Sequence, residues 1–357
     1  MYDVIIIGAG PAGSSAANEL ASNGYKVLLA EKFKLPRNKS CSGILIKKSL
    51  DLISQYFGEQ VPSSVKCSPA DNRGMVFTND TGREFLFEQP GANIWRSSFD
   101  CWLAQKAADA GAILRDCTAA VAYSESEDSV TVTFKSSTSE GGCTFKDCAT
   151  YTESAKIVII CEGAVSSLKR KYRNASKDYI TTYQTFNRGS ISLDPHYFYA
   201  YLQPRLSQYD AWFNVKDDYL IFGVAVSDTS LTEHYYKEFI SYMEHEHNAR
   251  IEAQVNSEKW IMPHIQPGCP IEYGSGRVLF AGEAAGFLNP MGEGISGGLE
   301  SGHAAARAVC ESGFSSNADL SRILSSYQRL TLGLKNYMER QWGFVAGMAG
   351  TFGHMRS

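Results

Sequence analysis

Three groups of residues in this sequence have the types and spacing to do chemistry. The first is Gly8-Ala9-Gly10-Pro11-Ala12-Gly13, a G-x-G-x-x-G run, with Glu31 following 18 residues after its last glycine. Between a strand and a helix, Gly8 permits the tight turn, Gly10 lets the backbone approach a pyrophosphate, and Gly13 lets helix and strand pack closely. The helix N-terminus then faces the phosphates, and Glu31 takes ribose hydroxyls. The second group is two glycine–acid junctions: Glu162-Gly163, and Gly282-Glu283 with Gly292, Gly294 and Ile295 after it. The third is Cys41 in "PRNKSCSGIL", a small-residue turn with Arg37 and Lys39 close in sequence. A fourth cluster, Glu244-His245-Glu246-His247, invites a metal reading and fails it. On a helix two histidines at i, i+2 point apart, so no metal is expected.

These residues need elements to position them. Tyr2–Ile7 is a continuous apolar run, Ser14–Asn23 has helical spacing closed by Gly24, and Tyr25–Ala30 is a second buried strand. Strand, turn, helix and strand within about thirty residues form a βαβ unit. Ala155–Cys161 and Arg277–Ala281 read as further buried strands, and 295–312 and 320–348 as helices. Met75–Phe87 alternates around Asp80-Thr81-Gly82 like a hairpin, with Ser136–Gly142 as a polar turn further on. Ser98–Ala110 and Leu231–His247 read as helices, and Tyr179–Val226 is aromatic and strand-like. In "YFYAYL", Tyr197, Phe198, Tyr199 and Tyr201 serve equally well as a pocket wall or a plain sheet core. His303 reads as a packing residue on its helix. The apolar stretch Gly343–Gly353 reads as packing over the pocket, with a membrane contact as the alternative.

Composition sets the outer bounds. The chain has 357 residues, 44% hydrophobic and 20% charged, with 31 glycines, which suits a soluble globular protein of two domains or one domain with an insertion. A net charge of −4 supplies no basic field for nucleic acid. The apolar N-terminal run is too short for a signal peptide, and no run suffices for a transmembrane helix. Peripheral membrane contact stays open. Nine cysteines without a C-x-x-C pair argue against a disulfide framework and for a reducing cytoplasm. Composition is silent on oligomeric state.

The first fingerprint does not separate FAD from NAD; the two later junctions do. Glu283 ends a strand where a carboxylate bonds a ribityl hydroxyl. Backbone N–H groups at Gly292–Ile295 face a flavin pyrimidine edge at a helix N-terminus. Together with "WRSSFD" (95–100), these segments resemble the flavoprotein hydroxylase superfamily of p-hydroxybenzoate hydroxylase architecture. That family has Asp where this chain has Glu162 and Glu283. The resemblance implies an α/β fold: a discontinuous Rossmann-type FAD-binding domain, an inserted antiparallel β-sheet substrate domain and C-terminal helices. The corresponding bounds are 1–70, 95–175 and 263–330 for FAD, 71–94 and 176–262 for the substrate domain, and 331–357 for the tail. It also implies Arg96 beside the cofactor, with Asp100 orienting the helix.

"PRNKSCSG" (36–43) is similar to the P-R-x-K-x-C-G-G element of the geranylgeranyl reductase family, and the chain's size and motif order resemble its short CbrA-like members. Lys32, Arg37, Ser42 and Gly43 are then further cofactor contacts. Residues 211–226 resemble that family's Y-x-W-x-F-P tract, which lines the substrate cavity. Trp212 aligns, Asp210 stands at the tyrosine position with Tyr209 before it, and Val215 replaces the proline. The resemblance implies hydride delivery from reduced FAD to a C=C bond of a small hydrophobic substrate. The matching proton comes from Cys41 first, otherwise from Tyr209, Tyr219 or water. Cys41 is equally well read as a small packing residue. Without a second dinucleotide fingerprint, the electron donor is transient NAD(P)H or a reduced protein. The rivals are a flavin monooxygenase of a small aromatic substrate and a non-catalytic flavin redox sensor. A halogenase would need W-x-W-x-I-P and a tunnel lysine, and Lys47 and Lys48 read as solvated.

Overall fold

Tyr2–Ile7 is rich in β-branched residues and buried along nearly its whole length, as a parallel strand covered on both faces must be. It pairs in parallel with Val27–Ala30 on one side and with Thr150–Ile160 on the other. Val278–Phe280 extends the sheet in parallel beyond Thr150–Ile160. The order is Gly274–Ser275, Val278–Phe280, Thr150–Ile160, Tyr2–Ile7, Val27–Ala30, Ile113–Arg115, with Thr118–Glu125 and Val130–Ser136 joined as a hairpin. One sheet thus collects strands from widely separated segments. This computed structural model describes residues 1–357 other than 138–142, 146–147, 174–178, 267, 315 and 349–357. Most of the expected turn at 136–142 and the end of the apolar stretch 343–353 lie outside the described residues.

The helix Pro11–Ser22 starts with Pro at its first turn and packs on Ile295–Ser312. Close approach is possible because Gly302 lacks a side chain where the Ala12 carbonyl sits. Ser15 Oγ then donates to Leu299 O at 2.9 Å.

The second sheet runs Arg250–Pro263, Tyr179–Ser190, Tyr219–Val226, Ala211–Lys216, Tyr197–Tyr201, Lys66–Thr78, Glu84–Ile94, Ile44–Leu45. It is antiparallel apart from Tyr197–Tyr201, which lies parallel to Lys66–Thr78. Its strands begin at Ile44 and Lys66, so parts of the segment grouped by sequence with the nucleotide fold pair here instead. The alternation in 197–201 splits its aromatics: Phe198 faces the first sheet, whereas Tyr199 and Tyr201 pack with Phe239 and Met243 of the helix Thr232–His247. On that helix His245 Nδ1 lies 2.7 Å from Ser241 O, while His247 Nε2 meets Tyr201 OH at 3.2 Å. His303 stacks on Tyr56 with centroids 3.8 Å apart.

The cysteine expectation needs a correction. Cys117 and Cys143 form a disulfide, with Cα atoms 5.3 Å apart, and the other seven cysteines are free. Cys117 precedes the hairpin and Cys143 follows it, so the closed ends bring them together. Their separation of 26 residues gives no local sequence signal.

Candidate active site

A cavity of about 620 Å³ opens at the C-terminal ends of the first sheet's parallel strands, beneath the second sheet. Ligands of open α/β sheets bind at such ends, where chain direction leaves a crevice. Its wall includes Gly8, Gly10, Pro11, Ala12, Glu31, Lys32, Arg37, Cys41, Ser42, Arg96, Glu162, Gly163, Trp212, Gly282, Glu283, Gly292, Gly294 and Ile295. Gly13, Gly43 and Tyr209 are not part of it.

The nucleotide end fits a dinucleotide. Gly8 has φ +104°, and a side chain there would strike the Cys161 carbonyl. Gly10 caps the helix without any side-chain acceptor, and a Cβ there would meet only Arg37, at 3.7 Å. The first-turn N–H groups are therefore left for an anion. Glu31 is buried, and its carboxylate accepts from Ala9 N and Phe33 N, each at 3.0 Å.

From Glu31 a chain of buried charges runs to the thiol loop. Arg37 Nε lies 3.2 Å from Glu31, and its Nη1 lies 3.0 Å from Asp100. Asp100 holds Arg96 in a two-point pair at 2.8 and 2.9 Å. Burial alone would raise the Asp100 carboxyl's pKa; the two guanidiniums overcome it and hold the pKa below the usual range. Burial would likewise lower Arg96, and Asp100, helped by a hydrogen bond to Cys41, raises it instead. Cys41 Sγ also accepts from Gly43 N at 3.3 Å.

The second sheet holds this loop from above. Asn214 Nδ2 donates to Ser42 O at 3.2 Å and Lys216 Nζ to Cys41 O at 3.4 Å. Gly43, at φ +73°, leaves room for the Lys216 side chain. Lys216 is fully buried, lies 4.5 Å over the Trp95 ring, and its pKa is lowered by burial.

The two acids at the glycine junctions behave differently. Glu162 turns back and accepts from Ser166 Oγ, Ser167 Oγ and Leu168 N at 2.6, 2.8 and 3.0 Å, so it caps the helix Ser167–Tyr172. Glu283 accepts from Ala164 N at 3.2 Å and lies 3.9 Å from Lys39 Nζ, which sits 4.6 Å over the Trp260 ring. Burial lowers the Lys39 pKa, opposed by Glu283. Tyr209 donates its hydroxyl to Pro290 O and is buried, which raises its pKa well above the ordinary value. Asp210, not Tyr209, joins Trp212 at the cavity. The Trp212 ring lies across Gly223, where any side chain would overlap it. Lys47 pairs with Asp51 and Lys48 with Glu300, both outside the cavity wall.

Sequence reasoning passed over Asn214 and Lys216, and noted Asp210 only as a departure from a motif. A signal was present: Asp210, Trp212, Asn214 and Lys216 alternate, which is the period of one strand face.

The comparisons agree with this geometry. The FAD binding domain family matches residues 1–312. Digeranylgeranylglycerophospholipid reductase 2 of Methanosphaera stadtmanae is 26% identical, covering 88% of this chain and 80% of its own length. Menaquinone reductase of Mycobacterium tuberculosis is 26% identical, covering 91% and 79%. A geranylgeranyl bacteriochlorophyll reductase-like protein of Thermoplasma acidophilum shares the fold at TM-score 0.81 and 20% identity, over 97% of this chain and 87% of that one. The glycine cradle, the uncapped helix and the buried Glu31 suit the cofactor that the family binds. The chain therefore belongs to the FAD-binding domain family, and is an FAD-dependent oxidoreductase with the fold of geranylgeranyl reductase-like proteins.

Proposed function

We propose that the protein reduces carbon–carbon double bonds of an apolar substrate, isoprenoid-like or otherwise hydrophobic. One observation carries this reading: a single cavity runs from the nucleotide-binding turn, past Cys41, to an apolar wall of Phe198, Trp212, Trp260, Met262 and Met291. Relatives named for reducing digeranylgeranylglycerophospholipid and menaquinone support an apolar substrate. FAD, when bound, supplies the hydride. Gly10 and the helix Pro11–Ser22 bind its phosphates, and Glu31 its ribose. Phe198 and Trp212 orient the substrate and exclude water. Cys41, hydrogen-bonded to Gly43 N–H and Arg96, holds the proton for the second carbon.

The electron donor in this reading is NAD(P)H bound transiently or a reduced protein. In this reading the protein works in the cytoplasm, where the Cys117–Cys143 disulfide is open to reduction; none of its helices among the described residues is long and apolar enough to cross a membrane. Exposed Leu86, Phe87 and Phe344 supply a peripheral membrane contact; Phe344 and Phe87 have ring centroids 6.0 Å apart.

The test separates two half-reactions. FAD-loaded protein is reduced anaerobically with NAD(P)H or dithionite, then mixed with geranylgeraniol. Wild type is expected to reoxidise. Cys41→Ala and Cys41→Ser are expected to reduce normally and reoxidise about 100-fold more slowly. Undiminished reoxidation in both variants removes Cys41 from proton delivery. Phenol-dependent oxygen consumption instead identifies a hydroxylase, and a yellow protein that does neither identifies a redox sensor.

A further inference from the structure

The second sheet's wall of the cavity is apolar at Phe198, Trp212, Trp260 and Met262 and uncharged at Thr182 and Gln184, and one ionisable residue interrupts it. Asp210 directly precedes the strand Ala211–Lys216, and the two-residue period sends its side chain to the same face as Trp212, where both line the cavity. Its main chain is anchored in the sheet: Asp210 O accepts from Ala225 N at 2.8 Å. Apart from its own backbone N–H, no partner among the described residues acts on its carboxyl. The cations of the cavity are engaged elsewhere: Arg37 and Arg96 pair with Asp100, Lys39 pairs with Glu283, and Lys32 lies over the Phe33 ring.

Without a charged partner, this carboxyl is mostly in its neutral form below about pH 7, because burial penalises the charge and pushes its pKa up to about 7. A neutral carboxyl presents an O–H donor. A hydrocarbon packed against that O–H leaves it unpaired, whereas a carbonyl oxygen satisfies it; the difference is about tenfold in affinity for one net hydrogen bond.

We infer that Asp210 determines substrate specificity by donating a hydrogen bond to an oxygen of the apolar substrate, so that the cavity takes a conjugated ketone or quinone in preference to a plain polyene. The inference rests on the cavity being the substrate site of a flavin-dependent reductase. A carbonyl conjugated to the alkene withdraws electron density from it, as a hydride acceptor requires, and a hydrogen bond to that oxygen strengthens the pull.

The test is calorimetric titration at about pH 6, where Asp210 is mostly protonated, of oxidised, FAD-loaded protein with menadione and with 2-methylnaphthalene, its counterpart lacking both oxygens. Wild type is expected to bind menadione about tenfold more tightly. Asp210→Leu and Asp210→Ala are expected to lose that preference while keeping their affinity for the hydrocarbon. Asp210→Asn, which retains an N–H donor, is expected to keep it. A wild type without preference, or apolar variants that keep it, overturns the assignment; the wild-type arm decides even where a variant does not fold. A failure of the underlying reading looks different: FAD-loaded protein that binds neither probe overturns the cavity as a substrate site, and this inference with it.

Discussion

Asp210 shows how one carboxyl ties chemistry to stability. Its pKa is raised by burial to about 7, against an ordinary value of 3.8. Below the ordinary value both folded and unfolded chains are protonated, and there is no penalty. As pH rises toward the folded value, only the unfolded chain releases the proton, so stability falls by about 1.4 kcal/mol per pH unit. The accumulated loss by about pH 8 is on the order of 4 kcal/mol. Asp210→Asn removes the ionisation, so its melting temperature should exceed that of wild type by a margin that grows between about pH 5 and about pH 8. Melts of the FAD-loaded proteins across that range check this, and a margin independent of pH refutes it.

The loop 36–43 and the helix Arg96–Asp109 are held together by charge rather than by apolar packing alone. Asp100 is fully buried and serves two arginines, so removing it strands charge that water cannot reach. Asp100→Leu is expected to destabilise the fold by about 3–5 kcal/mol, read by urea denaturation. Adding Arg96→Met should recover much of the loss, because Arg37 still has Glu31 at 3.2 Å. A double variant no more stable than the single one would mean that Asp100 acts by packing. The strand Ala211–Lys216 is the counterpart from the other sheet. With Asp210 directly before it, it places two cavity residues at one end and two loop-holding donors at the other, so loop position and pocket shape are set together.

Across the molecule, the cavity proposed for FAD is lined by segments that meet only in the folded chain, from Gly10 to Ile295. An unfolded chain cannot assemble that set, so the ligand stabilises the native state alone. Free FAD at about 1,000 times its Kd should raise the unfolding free energy by about 4 kcal/mol, seen as an upward shift of the thermal transition. In Gly10→Val the new side chain projects into the cavity, where Arg37 at 3.7 Å is the nearest neighbour. That variant should fold and melt like FAD-free wild type, with no shift on adding FAD. A full shift would show that the phosphates do not pass Gly10.

Much of this protein is legible along the chain, for reasons of range. The βαβ unit, the helices from Thr232 and Ile295, and the hairpin around Asp80-Thr81-Gly82 rest on local periodicity and on glycines that only certain backbone angles accept. The fingerprint at Gly8–Gly13 and Glu31 is likewise local, because strand, turn and helix carry it within about thirty residues. Contacts between distant segments are not legible in that way. No local pattern links Cys117 to Cys143, Asp100 to Arg37, or Lys216 to the carbonyl of Cys41. The glutamates at 162 and 283 look equivalent in sequence, yet one caps a helix and the other faces Lys39 across the cavity. Residue type and spacing settle which backbone shapes each segment adopts; which side chains share a buried, low-dielectric space depends on how those segments pack, and the packing makes Asp210 rather than Tyr209 a wall of the pocket.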